Sequence, residues 1–350
     1  MRSVLTSAVC MVLLAATVPA ADEAEWRPSA RRDLSPAAEQ AIREGISFLV
    51  RTQNPDGSWL SDGSTGRFPT AISALAGLAL LANGSTAYSG PQAENVRRAV
   101  RYLLDRADPT TGLIGGQESG RPMFGHGFAM LFLAQVYGSE GQPALRQRIR
   151  EVLLGAVALT ARSQSELGGW YYTPDSDEDE GAVTMTQLQG LRACANAGLP
   201  VPEETVARAL DYIRKSARPD GGIAYRADRP GDSRPAITCA ALASLYAAGI
   251  YEGELVERGL RYARANVPTT APRPSGGTHF FYAHLYLSEV LYFRGGDEWR
   301  DYFEAISGWL AAMQREDGSW LGEYIGRAYG TAVALLILQL PYNSLPVLQP

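Results

Sequence analysis

The chain has 350 residues, of which 46% are hydrophobic and 20% are charged, and its net charge is −5 at pH 7. This composition is typical of a folded globular protein and excludes a disordered chain. The mild acidity argues against nucleic-acid binding, which requires a basic surface.

The first residues predict an export signal, Met1–Ala20. Arg2 supplies a short positive start, Val4–Thr17 forms an apolar core, and small residues precede Ala20. The apolar run is short for a bilayer span, although a retained N-terminal anchor is the alternative to cleavage. We therefore expect a signal peptide at 1–20, a flexible leader at 21–34 and one domain at 35–350. The protein would be exported to the periplasm, cell envelope or exterior, with no membrane span after cleavage.

A glycine-centred segment recurs along the rest of the chain. The pattern Gln-x-x-x-Gly-x-Trp occurs three times with identical spacing, beginning at Gln53, Gln164 and Gln314. Weaker copies that keep the glycine fill the gaps, and successive glycines are 42 to 56 residues apart. The six glycines are Gly57, Gly112, Gly168, Gly221, Gly276 and Gly318. Self-similarity at this period predicts one structural unit repeated six times.

The residue pattern of each unit predicts an amphipathic helix followed by a more apolar helix. In the first unit, Ser35 and Pro36 are suited to the start of a helix, which Pro55-Asp56-Gly57 would end. The second helix is predicted at Pro69–Asn83, which is mostly Ala, Leu and Ile. The later pairs are predicted at Val96–Arg106 and Phe124–Tyr137, Leu145–Arg162 and Val183–Ala197, Glu203–Ala217 and Ala236–Ala248, Glu254–Ala265 and His279–Phe293, and Glu298–Gln314 and Thr331–Leu340.

The contrast between the two helices of each unit predicts their arrangement. A helix that is apolar on every side must be covered on every side, whereas an amphipathic helix can face water. The fold class is therefore all-α, and the expected architecture is an α/α toroid (an α6–α6 barrel) of six helix-pair repeats. An open solenoid is the alternative, but it needs polar terminal caps, and the last predicted helix is among the most apolar.

The repeated segments resemble the QW repeat of the prenyltransferase and squalene cyclase superfamily. The residues before the motif also match, as in Gly45…Phe48-Leu49 and Gly308-Trp309-Leu310. The resemblance covers residues 36–345 and extends to exported single-toroid bacterial proteins with prenyltransferase/squalene-oxidase repeats. It implies that Gln and Trp tie an outer helix to the following turn. It also implies a central cavity that takes an isoprenoid or another apolar substrate.

The segment Asp175–Glu180 carries five carboxylates in six residues. Clustered carboxylates cannot all ionise easily, so one can keep a proton for general acid catalysis. Resemblance to the Asp-x-Asp-Asp motif of class II terpene cyclases implies Asp179 as the proton donor, flanked by Asp177 and Glu180. The sequence departs from that motif, with Glu at the fourth position and Gly181 in place of Thr. A solvated acidic loop at a helix N-terminus or a Mg²⁺ site are the alternatives.

His126 and His284 occupy equivalent positions in two repeats, each 12 residues before a glycine. Equivalent positions predict equivalent directions, here inward, where both would line a polar pocket. A zinc site like that of protein prenyltransferases lacks a ligand, because Ile237 stands where that family's Asp-x-Cys motif has Asp.

Aromatic residues are concentrated in the fifth apolar helix and after the third glycine turn. An aromatic helix face can bind prenyl chains and stabilise carbocations, although such a stripe also builds ordinary core. The expected ligand-contacting residues are Tyr171, Tyr172, His126, Phe281, Tyr282, His284 and Tyr286.

Two functions remain open at this point. The first is a class II terpene cyclase-like isomerase or prenyltransferase-like enzyme, with the acids beside a mostly apolar cavity of at least ~300 Å³. The second is a non-catalytic scaffold that binds a lipid, peptide or protein of the cell envelope. Hydrocarbon cyclases that resemble this sequence carry a second helical barrel, which weighs against the enzyme. Beyond possible Mg²⁺ at the acidic loop, no cofactor is implied.

Overall fold

The computed structural model describes residues 34–64, 68–116, 120–229, 231–269, 279–342 and 344–345. The predicted export signal, almost all of the leader and Gly276 lie outside these residues. The described residues form twelve α-helices and one short 3-10 helix, and they contain no β-sheet, which confirms the all-α class. The helices are α1 Pro36–Thr52, α2 Pro69–Ala82, α3 Ala93–Asp105, α4 Pro122–Ser139, α5 Pro143–Arg162, α6 Gly181–Asn196, α7 Glu203–Ser216, α8 Pro235–Ala247, α9 Glu254–Asn266, α10 Phe280–Arg294, α11 Gly296–Met313 and α12 Arg327–Leu338.

Local sequence explains most of the helix boundaries. Ser35 Oγ accepts a hydrogen bond from Ala38 N at 3.1 Å, and Pro36 occupies the first helical position of α1. The last helix starts earlier than predicted, at Arg327. Its first backbone N–H donates to Asp62 Oδ1 at 2.7 Å, so a side chain from the first repeat caps it. Sequence spacing alone could not reveal a cap that is distant along the chain.

The helices sort into two rings, as predicted. The inner ring consists of α2, α4, α6, α8, α10 and α12, each packed on the next, and α12 packs on α2. All fourteen residues of α2 are buried, which explains why it needs no polar face. The outer ring consists of α1, α3, α5, α7, α9 and α11. Within the described residues, no helix combines the length and apolarity needed to cross a membrane.

Each Gln of the repeated motif joins its own turn to the next outer helix. Gln164 Nε2 donates to Gly168 O and to Thr205 O of α7, both at 2.9 Å. The Trp of the motif completes the junction, because Trp170 Nε1 donates to Thr160 O of α5 at 2.7 Å. The first repeat forms the same contacts: Gln53 Nε2 donates to Gly57 O and to Asn95 O of α3, and Trp59 Nε1 donates to Leu49 O of α1.

The same junction closes the ring between the last and the first repeats. Gln314 Nε2 donates to Gly318 O at 3.0 Å and to Ala41 O of α1 at 2.9 Å. Gly318 has a φ of +79°, and a Cβ there would lie 2.6 Å from Glu44 O of α1. A side chain is therefore excluded by both conformation and space. Because the sixth repeat contacts the first as any repeat contacts its successor, the open solenoid is wrong and the toroid is confirmed.

The closing junction can be tested by truncating its glutamine. Gln314→Ala removes two hydrogen bonds at the closing junction, so it should lower the free energy of unfolding by about 2 kcal/mol. Gln164→Ala should cost a similar amount, as measured by denaturant unfolding. Gln147→Ala, which removes an exposed glutamine of α5, should cost less than about 0.5 kcal/mol. An open chain of repeats would instead make Gln314→Ala as mild as the Gln147 control.

Candidate functional site

The acidic segment lies at the mouth of the ring, where the connections from the outer helices lead into the inner helices. It is held on both sides by backbone hydrogen bonds. Met123 N at the start of α4 donates to Tyr172 O at 3.1 Å, and Gly181 N at the start of α6 donates to Tyr225 O at 2.8 Å. The segment is therefore fixed against the two neighbouring repeats.

The carboxylates of this segment separate into an exposed group and a buried group. Asp175, Asp177 and Glu178 are exposed. Glu178 pairs with Arg226 at 3.0 Å and with Arg229 at 3.6 Å. Asp179 and Glu180, in contrast, are only 2% and 0% exposed. The acidic segment is thus a solvated loop only in its first part, and its last two carboxyl groups belong to the interior.

Glu180 caps α6 from a fully buried position. Its two carboxyl oxygens accept hydrogen bonds from Ala182 N at 2.8 Å and Val183 N at 2.6 Å. Burial raises the pKa of Glu180 to about 7, although these two bonds and the positive charge of Arg121 favour the ionised form. Glu180 is therefore a carboxyl group that gains and loses a proton near neutral pH.

Asp179 faces the outer ring. Its Oδ2 accepts from Ser165 Oγ at 2.9 Å, and its buried Oδ1 has no hydrogen-bond partner. The buried hydroxyl of Tyr212 on α7 lies beside the Asp179 carboxyl group. Burial first, and then the charge of Asp179, raise the pKa of Tyr212. The residue that family resemblance implied as the proton donor therefore lies behind Glu180, on the side away from the mouth.

Tyrosines surround the mouth next to Glu180. The Tyr171 and Tyr172 ring centroids are 4.4 Å apart, and the hydroxyls of Tyr172 and Tyr225 are hydrogen-bonded to each other. The Arg121 guanidinium lies 4.4 Å from the Tyr172 ring centroid. Burial raises the pKa of Tyr172 and Tyr225, and the nearby Glu180 carboxylate raises both further. These side chains form a half-buried aromatic surface that carries one cation.

The aromatic residues of α10 continue this surface into the ring. Tyr282 Oη donates to Ala182 O of α6 at 3.3 Å, which spans the ring between two helices that are not neighbours. The rings of Tyr282 and Tyr286 are 4.9 Å apart in an edge-to-face arrangement. Phe281 is buried, and its ring centroid lies 6.4 Å from that of Tyr329 of α12. The predicted stripe therefore fills the upper part of the ring centre.

Glu323 is a mouth residue that sequence reasoning missed. It precedes α12 with a φ of +53°, and its Oε1 is buried without a hydrogen-bond partner. Burial raises the pKa of Glu323, while the N–H groups of Phe280 and Phe281 at the start of α10 oppose that rise. A lone glutamate in a loop carries no sequence signal for this placement.

The histidines do not point inward, so that prediction is wrong for both. His126 Nδ1 accepts from Ile114 N at 3.1 Å, and Nε2 therefore carries the proton and lies 3.3 Å from Ala156 O on outer helix α5. His284 Nδ1 lies 2.8 Å from Tyr302 Oη on outer helix α11. Both histidines lie between the two rings.

The role of His126 follows from a contact that recurs in other repeats. The residue two after the motif glycine donates its N–H to a side chain in the first turns of the inner helix. The pairs are Trp59 with Ser73, Ile114 with His126, Trp170 with Thr184, Ile223 with Thr238 and Trp320 with Thr331, at 2.8 to 3.1 Å. His126 thus replaces a hydroxyl residue in a structural latch.

Two cavities stand out among the described residues, and neither is the apolar cavity predicted beside Asp179. One is an open cleft of about 390 Å³ lined by Arg218, Ala227, Asp228, Arg229 and Gly231. The other holds about 10 Å³, between the starts of α2 and α4. The predicted aromatic side chains occupy the ring centre instead.

In the part of the chain that the structure describes, no three His, Cys, Asp or Glu side chains gather around one point. At the acidic segment, Glu178 is paired with arginines, and Asp179 and Glu180 point to different sides. This arrangement does not fit the Mg²⁺ site considered from the sequence.

Comparisons with known proteins support a cyclase-like toroid. No family profile matches the chain. It is 26% identical over 193 residues to drimenyl diphosphate synthase of Streptomyces showdoensis, an alignment that covers 55% of this chain. The chain spans about a third (33%) of the length of that curated relative.

Solved structures share the fold at low sequence identity. Type II terpene cyclase MstE from Scytonema superposes with a TM-score of 0.60 at 18% identity, covering 88% of this chain and 99% of MstE. Cellobiose 2-epimerase from Spirochaeta thermophila superposes with a TM-score of 0.62 at 15% identity, covering 89% of this chain and 98% of the epimerase. Nearly all of MstE aligns to this chain, so the two share the α/α toroid fold over their whole aligned length.

The latch role of His126 predicts a pH-dependent loss of stability. Burial lowers the pKa of His126 to about 4, so neutral His126 stabilises the fold above pH 6.5, and this contribution disappears as the pH falls toward 4. His126→Gln should lower the free energy of unfolding by about 3 kcal/mol more at pH 7 than at pH 4. Denaturant titrations at both pH values measure this difference. His279→Gln is the comparison: the pKa of His279 is also lowered, by partial burial and the Arg234 charge, but to a smaller extent, so its pH dependence should be smaller. An equal loss at both pH values in His126→Gln would contradict the latch role.

Proposed function

We propose that this chain is an isomerase that cyclises an isoprenoid or similarly apolar substrate by protonating it at the mouth of the toroid. One observation carries the proposal: two consecutive carboxyl groups, Asp179 and Glu180, are buried at the start of an inner helix, and Glu180 titrates near pH 7. The adjoining tyrosines offer the surface that an apolar chain needs. The solved complex of an MstE variant with geranylgeranyl dihydroxybenzoate, its substrate, and the name of the drimenyl diphosphate synthase relative support this substrate class.

The proposed step uses Glu180 as the acid. Its proton is transferred to one carbon of a carbon–carbon double bond, which leaves a carbocation at the other carbon. A second double bond attacks the cation and closes a ring, and loss of a proton then gives an isomer of the substrate. An acid with a pKa near the working pH is both protonated and able to transfer its proton.

Asp179 acts through its neighbour in this proposal. Its carboxylate disfavours the ionised form of Glu180, so it helps Glu180 to keep the proton until substrate arrives. Asp177, which family resemblance placed in the catalytic set, is exposed and receives no step here. The assignment of the acid to Glu180 differs from the sequence-based expectation of Asp179, and the variants below separate the two.

Substrate entry requires movement in the ring centre. Tyr282 bridges from α10 to α6 directly beside the residues that Glu180 caps. An entering chain must displace this bridge, which is a single hydrogen bond between half-buried partners. Tyr282 and Tyr286 would then line the bound substrate, as predicted from the sequence.

A non-catalytic scaffold is the second candidate function. In that case the aromatic mouth would bind a lipid, peptide or envelope protein without chemistry. We also propose export for either function, on the strength of the Met1–Ala20 segment alone.

Protonation from solvent gives the enzyme a diagnostic product. Incubated with polyprenyl diphosphates and with geranylgeranyl dihydroxybenzoate, the protein should yield a cyclic product of unchanged mass in H₂O. In D₂O, mass spectrometry should detect deuterium in that product, because the acid exchanges with solvent before it protonates carbon. Binding of these compounds without any product would favour the scaffold.

The acid itself can be identified by conservative variants. Glu180→Gln keeps an oxygen that can cap α6 but cannot donate a carboxylic proton, so turnover should fall by roughly 10²-fold or more. Wild-type activity should fall as the pH rises above about 7, because Glu180 loses its proton there. Asp179→Asn should reduce activity less, and Asp175→Asn, in the exposed part of the same loop, is the matched control. Full activity in Glu180→Gln combined with its loss in Asp179→Asn would return the acid role to Asp179.

A further inference from the structure

Glu289 is an unpaired carboxyl group deep inside the ring. It is 4% exposed, and it makes no hydrogen bond or ion pair with any described residue. Burial alone raises the pKa of Glu289 to about 8. A buried carboxyl group without a partner is costly, and core packing does not require one. The proposed protonation at the mouth makes no use of it.

Polar groups lie near Glu289. The Tyr286 hydroxyl is close enough to feel the charge of Glu289, and it lies beside the hydroxyl groups of Tyr282 and Thr186. Nε2 of Gln189 on α6 is buried and unpaired. Unsatisfied buried polar groups are rare in native interiors, so Glu289 and Gln189 are candidates for contact with a polar or charged ligand.

Helix geometry places these groups below the mouth. Tyr282, Tyr286 and Glu289 lie on one face of α10, and Tyr282 reaches across the ring to Ala182. Inner helices α6 and α10 run in the same direction. Gln189 is seven residues after Ala182, and Glu289 is seven residues after Tyr282, so both lie at the same depth in the ring. At 1.5 Å per residue, both lie about 10 Å deeper than the Tyr282 bridge.

The helices packed against α10 bring no unpaired positive charge to the depth of Glu289. Helix α8 has no charged residue, and the one charged residue of α12, Arg327, is paired with Asp62 at the mouth. The charged residues of α11 are exposed or paired at the surface. The other titratable groups on the helices packed against α10 are uncharged in the interior: Cys239, Tyr246, Tyr302 and Tyr329. Arg294 of α10 itself is paired with Glu257 and Glu298. Among the described residues, none of these cations pairs with Glu289.

We infer that Glu289, with Tyr286 and Tyr282, forms an interior site for a cationic centre carried on an apolar chain. A carboxylate supplies the opposite charge, and the faces of the two tyrosine rings attract a desolvated cation. The inference rests on the proposed function in one respect, since a carbocation formed from the substrate is such a centre. A stable quaternary ammonium ion has the same charge and can occupy the site without any reaction.

Proton release upon binding tests the site directly. Near pH 7 Glu289 holds a proton, and a bound cation should expel it as the carboxylate forms. The probe is dodecyltrimethylammonium below its micelle-forming concentration, which carries no ionisable proton of its own. Calorimetric titration at pH 7 in two buffers of different ionisation enthalpy should show release of close to one proton per bound probe. Dodecanol, which has the same chain without the charge, should release none.

Substitution assigns the released proton to its source. Glu289→Gln should abolish proton release and weaken binding of the ammonium probe by roughly tenfold or more, while dodecanol binding stays unchanged. Glu140→Gln removes another buried carboxyl, outside the ring on the α4–α5 connection, and should behave as wild type. Circular dichroism establishes that each variant is folded.

The outcomes separate this site from the proposed reaction. Ammonium binding without proton release, or with release that persists in Glu289→Gln, would overturn the inference. Proton release that depends on Glu289 supports it even where no isoprenoid is converted, in which case only the cyclase proposal fails.

Discussion

The structure depends on one junction, in which a glutamine amide bridges its own turn and the backbone of the next outer helix. The glycine that follows lets the turn approach that helix more closely than any side chain would allow, as Gly318 does against Glu44. The glutamine contact occurs in three repeats, and the close approach of the glycine to the next outer helix occurs in all five described turns. Successive repeats are therefore joined in the same way, and the sixth is joined to the first. The inner helices can then be apolar on every side, because the ring covers them completely.

The ring gives the candidate site its chemistry. Connections that enter the inner helices meet at one end, where buried N–H groups need acceptors. Glu180 meets that need for α6, and its burial makes the same carboxyl group a proton carrier near neutral pH. One residue therefore serves both the fold and the proposed reaction. Burying Glu289 also costs free energy, but Glu289 caps no helix and pairs with no described residue. This is why we infer a ligand for it.

Repeat spacing and helix periodicity predicted the helices and the two rings, because both depend on local patterns that recur. The directions of individual side chains were less accessible. His126 was expected to face inward, but the need to satisfy the N–H of Ile114 turns it toward the outer ring. Likewise, nothing in the run of five acidic residues indicates that Asp179 and Glu180 are buried with their side chains on opposite sides of the backbone. Such choices depend on partners that are distant along the chain, such as Ser165 before the turn and Tyr212 on the next outer helix.

The contact between Asp62 and the start of α12 has a consequence for how the chain folds. It joins residues at nearly opposite ends of the sequence, so the ring cannot close until its last repeat has been synthesised. Until then α2 lacks the neighbour that covers one of its sides. Contacts of such long range slow folding and leave apolar surface exposed during it. The nascent chain is therefore most vulnerable to aggregation at its first inner helix, however stable the closed ring is.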